Sequence, residues 1–357
     1  MIAGITEIVH VLLDKGIPFC VYRIPENQNY NWAFSKEILP HPVNKYFCLT
    51  PFTKKSKAPE ITLGILETGY MTPAFIETLK SLPNNIIQDV QLPLNTDFGV
   101  YSKQFERIQQ FIHDGEISKA ILSRVVIQDK PDDFDAAHIL ETLCEDYPNT
   151  FAYLIVHPSS GIWMGASPEL LIESDSESLK IMAVAGTQKR KTDGLYHWRS
   201  KEMDEHYIVG HHIEEVFTAN AGSLLCKSGP NTIEAGRVVQ LRTDYEYKME
   251  KTDVMELVSQ IHPTPAIGGY PVEKSVEIIY DVEDYDRSYY CGYLGETDYK
   301  SLANLYVNLR CMQIGKDNIA IYAGGGITSE SELQEEWEET ELKSKTMADV
   351  LKSKVAL

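Results

Sequence analysis

Apolar residues along the chain recur at two periods, and the switches between them mark out its elements. Residues 1–13 are apolar but broken by Glu7 and His10, without a basic leader, which predicts an amphipathic helix rather than a signal peptide. Over residues 1–95, short apolar runs at 18–24, 46–49 and 61–66 sit between Pro- and Asn-rich stretches and predict strands joined by loops. Phe105, Ile108 and Ile112 give 101–113 a helical spacing that stops at Gly115. A strand follows at 119–127, a helix with an Asp-rich start at 135–147, and strands at 151–156, 161–164, 170–173 and 179–185. The pattern then predicts a long helix at 198–219, a strand at 238–248, and short helices at 254–260 and 271–280. Strands at 290–294, 303–314 and 318–323 come next, the last two joined by the hairpin Gly315-Lys316-Asp317-Asn318, and a helix at 330–352 closes the chain. Clusters of strands with helices interspersed, rather than strict βαβ alternation, indicate an α+β fold with large antiparallel sheets inside and helices outside.

Composition narrows the partners. The 357 residues carry 33 basic against 52 acidic side chains, a formal charge of -19, which opposes binding to nucleic acid or an anionic membrane surface. No apolar run approaches the roughly 20 residues that span a bilayer, so a soluble, cytoplasmic protein is expected. The cysteines at 20, 48, 144, 226, 291 and 311 lie far apart without a CxxC pair, which suggests neither a disulfide framework nor a zinc site. His206, His211 and His212 do not have the HExxH spacing, and Glu205-His206 reverses its order.

The candidate chemistry lies in a few segments. Glu202 and Glu205 share one helical face, as do Glu336 and Glu339. Like charges three residues apart repel by a few tenths of a kcal/mol unless neutralised. A hard divalent cation would neutralise them, since Mg²⁺ is often held by one or two carboxylates; a solvated acidic face is the plainer reading of either pair alone. In the run 119–124, Lys119, Ile121 and Ser123 face the same way on a strand. Burial there would lower the amine's pKa toward that of a base, unless the lysine merely snorkels to water. Glu169, between Pro168 and the apolar run Leu170-Leu171-Ile172, sits where a semi-apolar site would raise its pKa and suit a general acid. The alternative there is a helix start capped by Ser167. Gly186-Thr187, Arg310, Gly324-Gly325-Gly326 ahead of the final helix, and Lys343 could together hold an anion. Tyr289-Tyr290 could line a pocket or simply belong to the core.

As an ordered set, KAILSR (119–124), GASPELL (165–171), AGT (185–187), EH (205–206), HPTPA…G (262–269), LRC (309–311), AGGGI (323–327) and EWEET…K (336–343) resemble the chorismate-utilising enzymes, and within them the isochorismate synthases. The likeness spans about residues 100–355. It implies a chorismate-binding catalytic domain over 96–357, with 1–95 as the variable N-terminal part of the same fold. It implies that Lys119 activates water and that Glu169 protonates the departing hydroxyl. By the same likeness, Glu205 and Glu339 bind Mg²⁺, with Glu202 and Glu336 in support. Gly186, Thr187, Ala266, Tyr290, Arg310, Gly324 and Lys343 fall where family members contact chorismate. Para-aminobenzoate-forming relatives carry a nucleophilic lysine where this chain has Ala185, and ammonia-using ones typically lack the basic Lys119. Water is therefore the expected nucleophile, and no glutaminase subunit is expected. The usual Lys-Asp-Arg is here Lys201-Glu202-Met203, which keeps the carboxylate and loses an arginine. A salicylate synthase and a non-catalytic chorismate-binding protein stay open beside the leading reading. Menaquinone supply is preferred over a siderophore as its use, and a monomer or weak oligomer as its state.

Overall fold

The computed structural model describes residues 4–352 except 68, 88, 176, 221, 236, 237 and 249–252. In chain order the elements begin with α1 (Ile5–Lys15), β1 (Phe19–Arg23), β2 (Asn31–Phe34), β3 (Tyr46–Thr50), β4 (Ile61–Leu66), α2 (Pro73–Ser81), α3 (Phe98–His113), β5 (Lys119–Asp129) and α4 (Ala136–Asp146). Then come β6 (Phe151–His157), β7 (Gly161–Ser167), β8 (Leu170–Ser174), β9 (Ser178–Lys189), α5 (Ser200–Ala219), β10 (Ser223–Ala235), β11 (Val238–Lys248) and α6 (Val254–Ile261). The last are β12 (Gly269–Tyr270), α7 (Val272–Val282), β13 (Tyr293–Thr297), β14 (Ala303–Val307), β15 (Cys311–Ile314), β16 (Asn318–Ile327) and α8 (Leu333–Val350).

The strands form one hydrogen-bonded run in the order β10-β11-β9-β8-β14-β13-β3-β4-β2-β1-β6-β7-β15-β16-β5-β12. Every pairing along it is antiparallel. β1 to β4, all within the first 95 residues, lie in the middle of this run. The two-residue period of a strand sorts side chains between two cores. On β6, Phe151, Tyr153 and Ile155 join a core shared with β1, β3, β9, β11 and β14. Ala152, Leu154 and Val156 join a second core under α1, α2, α4 and α8. A third, smaller core holds α3 and α7 against Ala120 and Leu122 of β5. The result is the α+β architecture expected.

Several boundaries differ from the sequence reading. The apolar run 303–314 is two strands, broken where Arg310 adopts a left-handed φ of 48° between β14 and β15. The strand expected from 290 starts only at Tyr293, because Cys291 also has a positive φ of 61°. Gly324-Gly325-Gly326 is not a loop before a helix: β16 runs through it, pairing it with Ser123, Leu122 and Ile121. β2, α2 and β10 had no counterpart in the reading, and 1–3 of the expected first helix lie outside the described residues.

Candidate active site

The floor of the site is the β5–β16 pair. Lys119 opens β5 and is 2% exposed. A Cβ on Gly326 would lie 2.9 Å from Lys119 Cε and 3.5 Å from Glu205 Oε2, and one on Gly325 would lie 3.1 Å from Glu336 Oε2. The strand is bare because the base and the acidic helices occupy the space that side chains would fill. Glu169 comes from the two-residue link between β7 and β8. That link is pinned to the end of β14: Ser167 Oγ donates to the Val307 carbonyl, and Val307 N donates to the Glu169 carbonyl at 3.0 Å. No helix starts at Ser167.

Both groups are shifted from their ordinary values. Burial lowers the pKa of Lys119, and the nearby charge of Lys343 adds to this while Glu205, 3.9 Å away, opposes it. Burial raises Glu169 to about 7 against the pull of Lys119 and Lys343. A protonated carboxyl is thus within reach near neutral pH, and the neutral form of the amine is favoured relative to an exposed lysine.

The anion-binding candidates converge on the same cavity. Its wall includes Lys119, Glu169, Gly186, Thr187, Glu205, Ala266, Tyr290, Arg310, Gly324, Glu339 and Lys343. Gly186, with φ 78°, lets β9 pass against α5, where a Cβ would meet the Glu202 carbonyl at 2.9 Å. Arg310 is steered by its backbone: its carbonyl accepts from Ala166 N at 3.0 Å, and its guanidinium reaches the Lys343 carbonyl at 3.2 Å. Ile121, Ala185, Ile267 and Leu309 add an apolar lining that the motif reading did not pick out as site residues. Ile121, Ala185 and Leu309 lie within the quoted motifs and Ile267 within the gap of 262–269, so their place was marked but not their role as lining.

Glu202 and Glu336 line a neighbouring cleft, which shares Glu205, Glu339, Thr187 and Gly326 with the first. Each rim carboxylate is answered by a cation. Lys201 Nζ donates to Glu336 Oε1 at 2.6 Å and Lys343 Nζ to Glu339 Oε1 at 2.6 Å. Arg199 caps the helix, its backbone N donating to Glu202 Oε2 at 2.8 Å and its Nη2 to Glu202 Oε1 at 2.6 Å. Lys201 and Arg199 had no assigned role in the sequence reading, although Arg199 stands three residues before Glu202, where helical side chains meet. Glu336 is raised to about 7 by burial and by Glu339, and Glu205 is raised by burial and by Glu339 against Lys119. Buried carboxylates that repel one another, with no sulfur or imidazole among them, suit a hard cation. Among the described residues no three His, Cys, Asp or Glu groups form a ready-made cage, so a cation here would draw further ligands from water or substrate. The histidines separate: His206 pairs with Thr243 Oγ1 at 2.7 Å and His211 with Glu215 at 3.3 Å.

A fold of one large antiparallel sheet, with a buried lysine, a buried carboxyl and an arginine around one cavity and Glu202, Glu205, Glu336 and Glu339 along the cleft that adjoins it, defines an anion-handling enzyme site. The chain belongs to the chorismate binding enzyme family, whose sequence profile matches residues 71–352. Among its relatives is isochorismate synthase EntC of Escherichia coli K12, 26% identical over 275 residues covering 74% of this chain and 70% of that protein. Isochorismate synthase MenF of Bacillus subtilis is 28% identical over 258 residues, covering 70% of this chain and 55% of that one. The menaquinone-specific isochorismate synthase MenF of E. coli shares the fold with a TM-score of 0.76 at 18% identity, over 97% of this chain and 91% of that one. Anthranilate synthase component I of Streptococcus pneumoniae shares it with a TM-score of 0.67 at 14% identity, over 92% of each chain. No described helix is long and apolar enough to cross a membrane.

Proposed function

We propose that the chain is an isochorismate synthase that isomerises chorismate by adding water at C2 of the ring and expelling the C4 hydroxyl. The observation that carries this is the pairing in one cavity of a buried amine, its pKa lowered by burial, with a carboxyl raised to about 7. The neutral Lys119 amine takes a proton from the attacking water, and the protonated Glu169 gives one to the leaving hydroxyl, so one water enters and one leaves. Arg310 and Lys343 face the carboxylates of the dianion, and Gly186, Thr187, Ala266, Tyr290 and Gly324 shape the space around the ring. Mg²⁺ held by Glu205 and Glu339, with Glu202 and Glu336 in support, would neutralise a substrate carboxylate. Ala185 in the cavity wall offers no nucleophile of its own, which supports water over an enzyme-bound adduct.

We take residues 1–95 as the variable part of the same fold, a reading supported by their central place in the sheet. A reducing compartment such as the cytoplasm is supported by six unpaired cysteines, five of them buried. Incubating the purified protein with chorismate and Mg²⁺, and separating the products, tests the proposal. Isochorismate is the expected product. Salicylate with pyruvate would make it a salicylate synthase, and no turnover would leave only a chorismate-binding protein.

A further inference from the structure

The outer edge of β5 is covered by a patchwork rather than by a full strand. β16 occupies one edge, and on the other β12 pairs only with Lys119 and Ala120. Beyond that, Ile121 N donates to the Gly268 carbonyl at 3.3 Å. Arg287 Nη2 donates to the Ile121 carbonyl at 2.7 Å, and Glu283 Oε1 accepts from Ser123 N at 2.8 Å. The side chains of a Glu–Arg pair thus stand in for the missing strand. Arg287 Nη1 also donates to the Ile267 carbonyl at 3.1 Å. One guanidinium therefore ties the strand that carries Lys119 to the loop that carries Ala266 and Ile267. Ile121 and Ile267 both line the cavity, while Arg287 and Glu283 do not.

The pair is deeply buried, with side chains 2% and 1% exposed, and Arg287 lies over the Phe52 ring at 4.5 Å. Its internal bonds are close, Nη2 to Oε1 at 2.6 Å and Nε to Oε2 at 2.8 Å. Attraction within a buried ion pair roughly balances its desolvation, and apolar residues of similar volume often do as well or better for stability. Stability alone therefore does not account for a charged pair here. We propose that Arg287 and Glu283 are positioning residues: they fix the gap between the base-bearing strand and the Ala266–Ile267 wall, and so the placement of the ring between them. Rate is sensitive to such spacing, since a misplacement of about 1 Å can cost on the order of 10²-fold.

The inference rests on the proposed reaction for its kinetic test only. Arg287→Lys keeps a charge for Glu283, but its single ammonium cannot span both carbonyls. The double variant Glu283→Gln with Arg287→Met removes the charges at similar volume. Both are expected to melt cooperatively near the parent temperature, with KM for chorismate little changed and kcat lowered about 10–100-fold. Amide hydrogen exchange should accelerate selectively at Ile121, Ser123 and Gly268. A kcat equal to the parent's in Arg287→Lys, or a loss that merely tracks the unfolded fraction, would overturn the inference. A parent enzyme inert toward chorismate would instead remove the proposed reaction. Exchange would then decide alone: local acceleration supports a positioning pair, and unchanged protection refutes it.

Discussion

The inner chamber and the acidic rim handle charge in opposite ways. In the chamber, the pKa of Lys119 is lowered and that of Glu169 raised chiefly by burial, and the charges around Glu169 act against its shift. At the rim, Glu336 is raised by burial reinforced by the like charge of Glu339 and is held by Lys201 at 2.6 Å, and Glu205 is raised by burial, with Lys119 opposing the shift and Glu339 adding to it. The first arrangement brings the Glu169 proton into exchange near neutral pH and favours the neutral form of the Lys119 amine. The second sets like charges side by side, balanced in part by Lys201, Lys343 and Arg199, where a further cation would be favoured. The two regions meet at Gly326, which borders both cavities.

The sharpest way to break this contrast is to remove the chamber's proton carriers. Lys119→Ala and Glu169→Gln are each expected to cut turnover by roughly 10²–10⁴-fold, the range of a positioned acid or base. Steady-state kinetics on folded variants would measure this, and near-parental kcat in either would strip that residue of its role. Since Glu169 must be protonated to act, kcat/KM of the parent should fall as pH rises through about 7. At the rim, Glu339→Gln should leave Lys119 and Glu169 in place and weaken Mg²⁺ binding by at least about 10–100-fold, since altering even the groups that support a metal's ligands costs that much. Calorimetric titration with Mg²⁺ reads this without turnover, and an unchanged affinity would move the cation elsewhere.

How much of this was legible in the sequence depended on what signal each part carries. Lys119, Glu169 and the paired glutamates stood out because charged residues beside apolar runs, or three apart on a helix, break the surrounding pattern. β10 was invisible for the opposite reason. It is an edge strand with nearly every position exposed, so it shows no alternation. Its Gly229-Pro230 reads as a turn, yet falls at a register shift between Ser228 and Asn231, where a strand tolerates proline. The triple glycine also reads as a turn, because the demand for bare backbone comes from Lys119 and Glu205, both distant in sequence, and from Glu336 on the helix that follows. The pairing of Arg287 with two backbone carbonyls had no sequence signature, since carbonyls are common to every residue.

Stability against pH sharpens the comparison at a smaller scale. The folded pKa of Glu169, about 7, lies above the ordinary 4.5. The stability linked to its proton is therefore fully present below about 4.5 and is lost as pH rises through about 7. Above that, the buried charge costs up to about 3 kcal/mol. Glu169→Gln cannot ionise, so relative to the parent it should gain about 1–3 kcal/mol between pH 5 and pH 8 in denaturant unfolding. A residue whose loss kills turnover yet stabilises the fold at pH 8 is one kept for chemistry. Equal differences at the two pH values would mean that the chamber does not desolvate it.

The smallest expected effect concerns Arg199, and it tests whether pairing at the rim is structural or tuning. The family's usual arginine after the acidic residue is Met203 here, and Met203 is 40% exposed. Arg199, on the other side of Glu202, supplies a guanidinium instead, donating from Nε at 2.9 Å and Nη2 at 2.6 Å to the same oxygen, with Glu335 at 3.6 Å beyond. Its side chain is 60% exposed, so water and salt screen the pair, and such contacts contribute about 0–1 kcal/mol. Glu202 is only 3% exposed, however, and loses its principal partner when Arg199 is shortened. Arg199→Ala should therefore lower stability by no more than about 1 kcal/mol. It should shift Mg²⁺ affinity by about two- to fivefold, the larger change appearing at low ionic strength where screening is weak. Calorimetric titrations at two salt concentrations separate the cases. A salt-independent loss of tenfold or more would show that Arg199 sets the rim's geometry, and would erase the distinction drawn between a chamber built by burial and a rim built by charge balance.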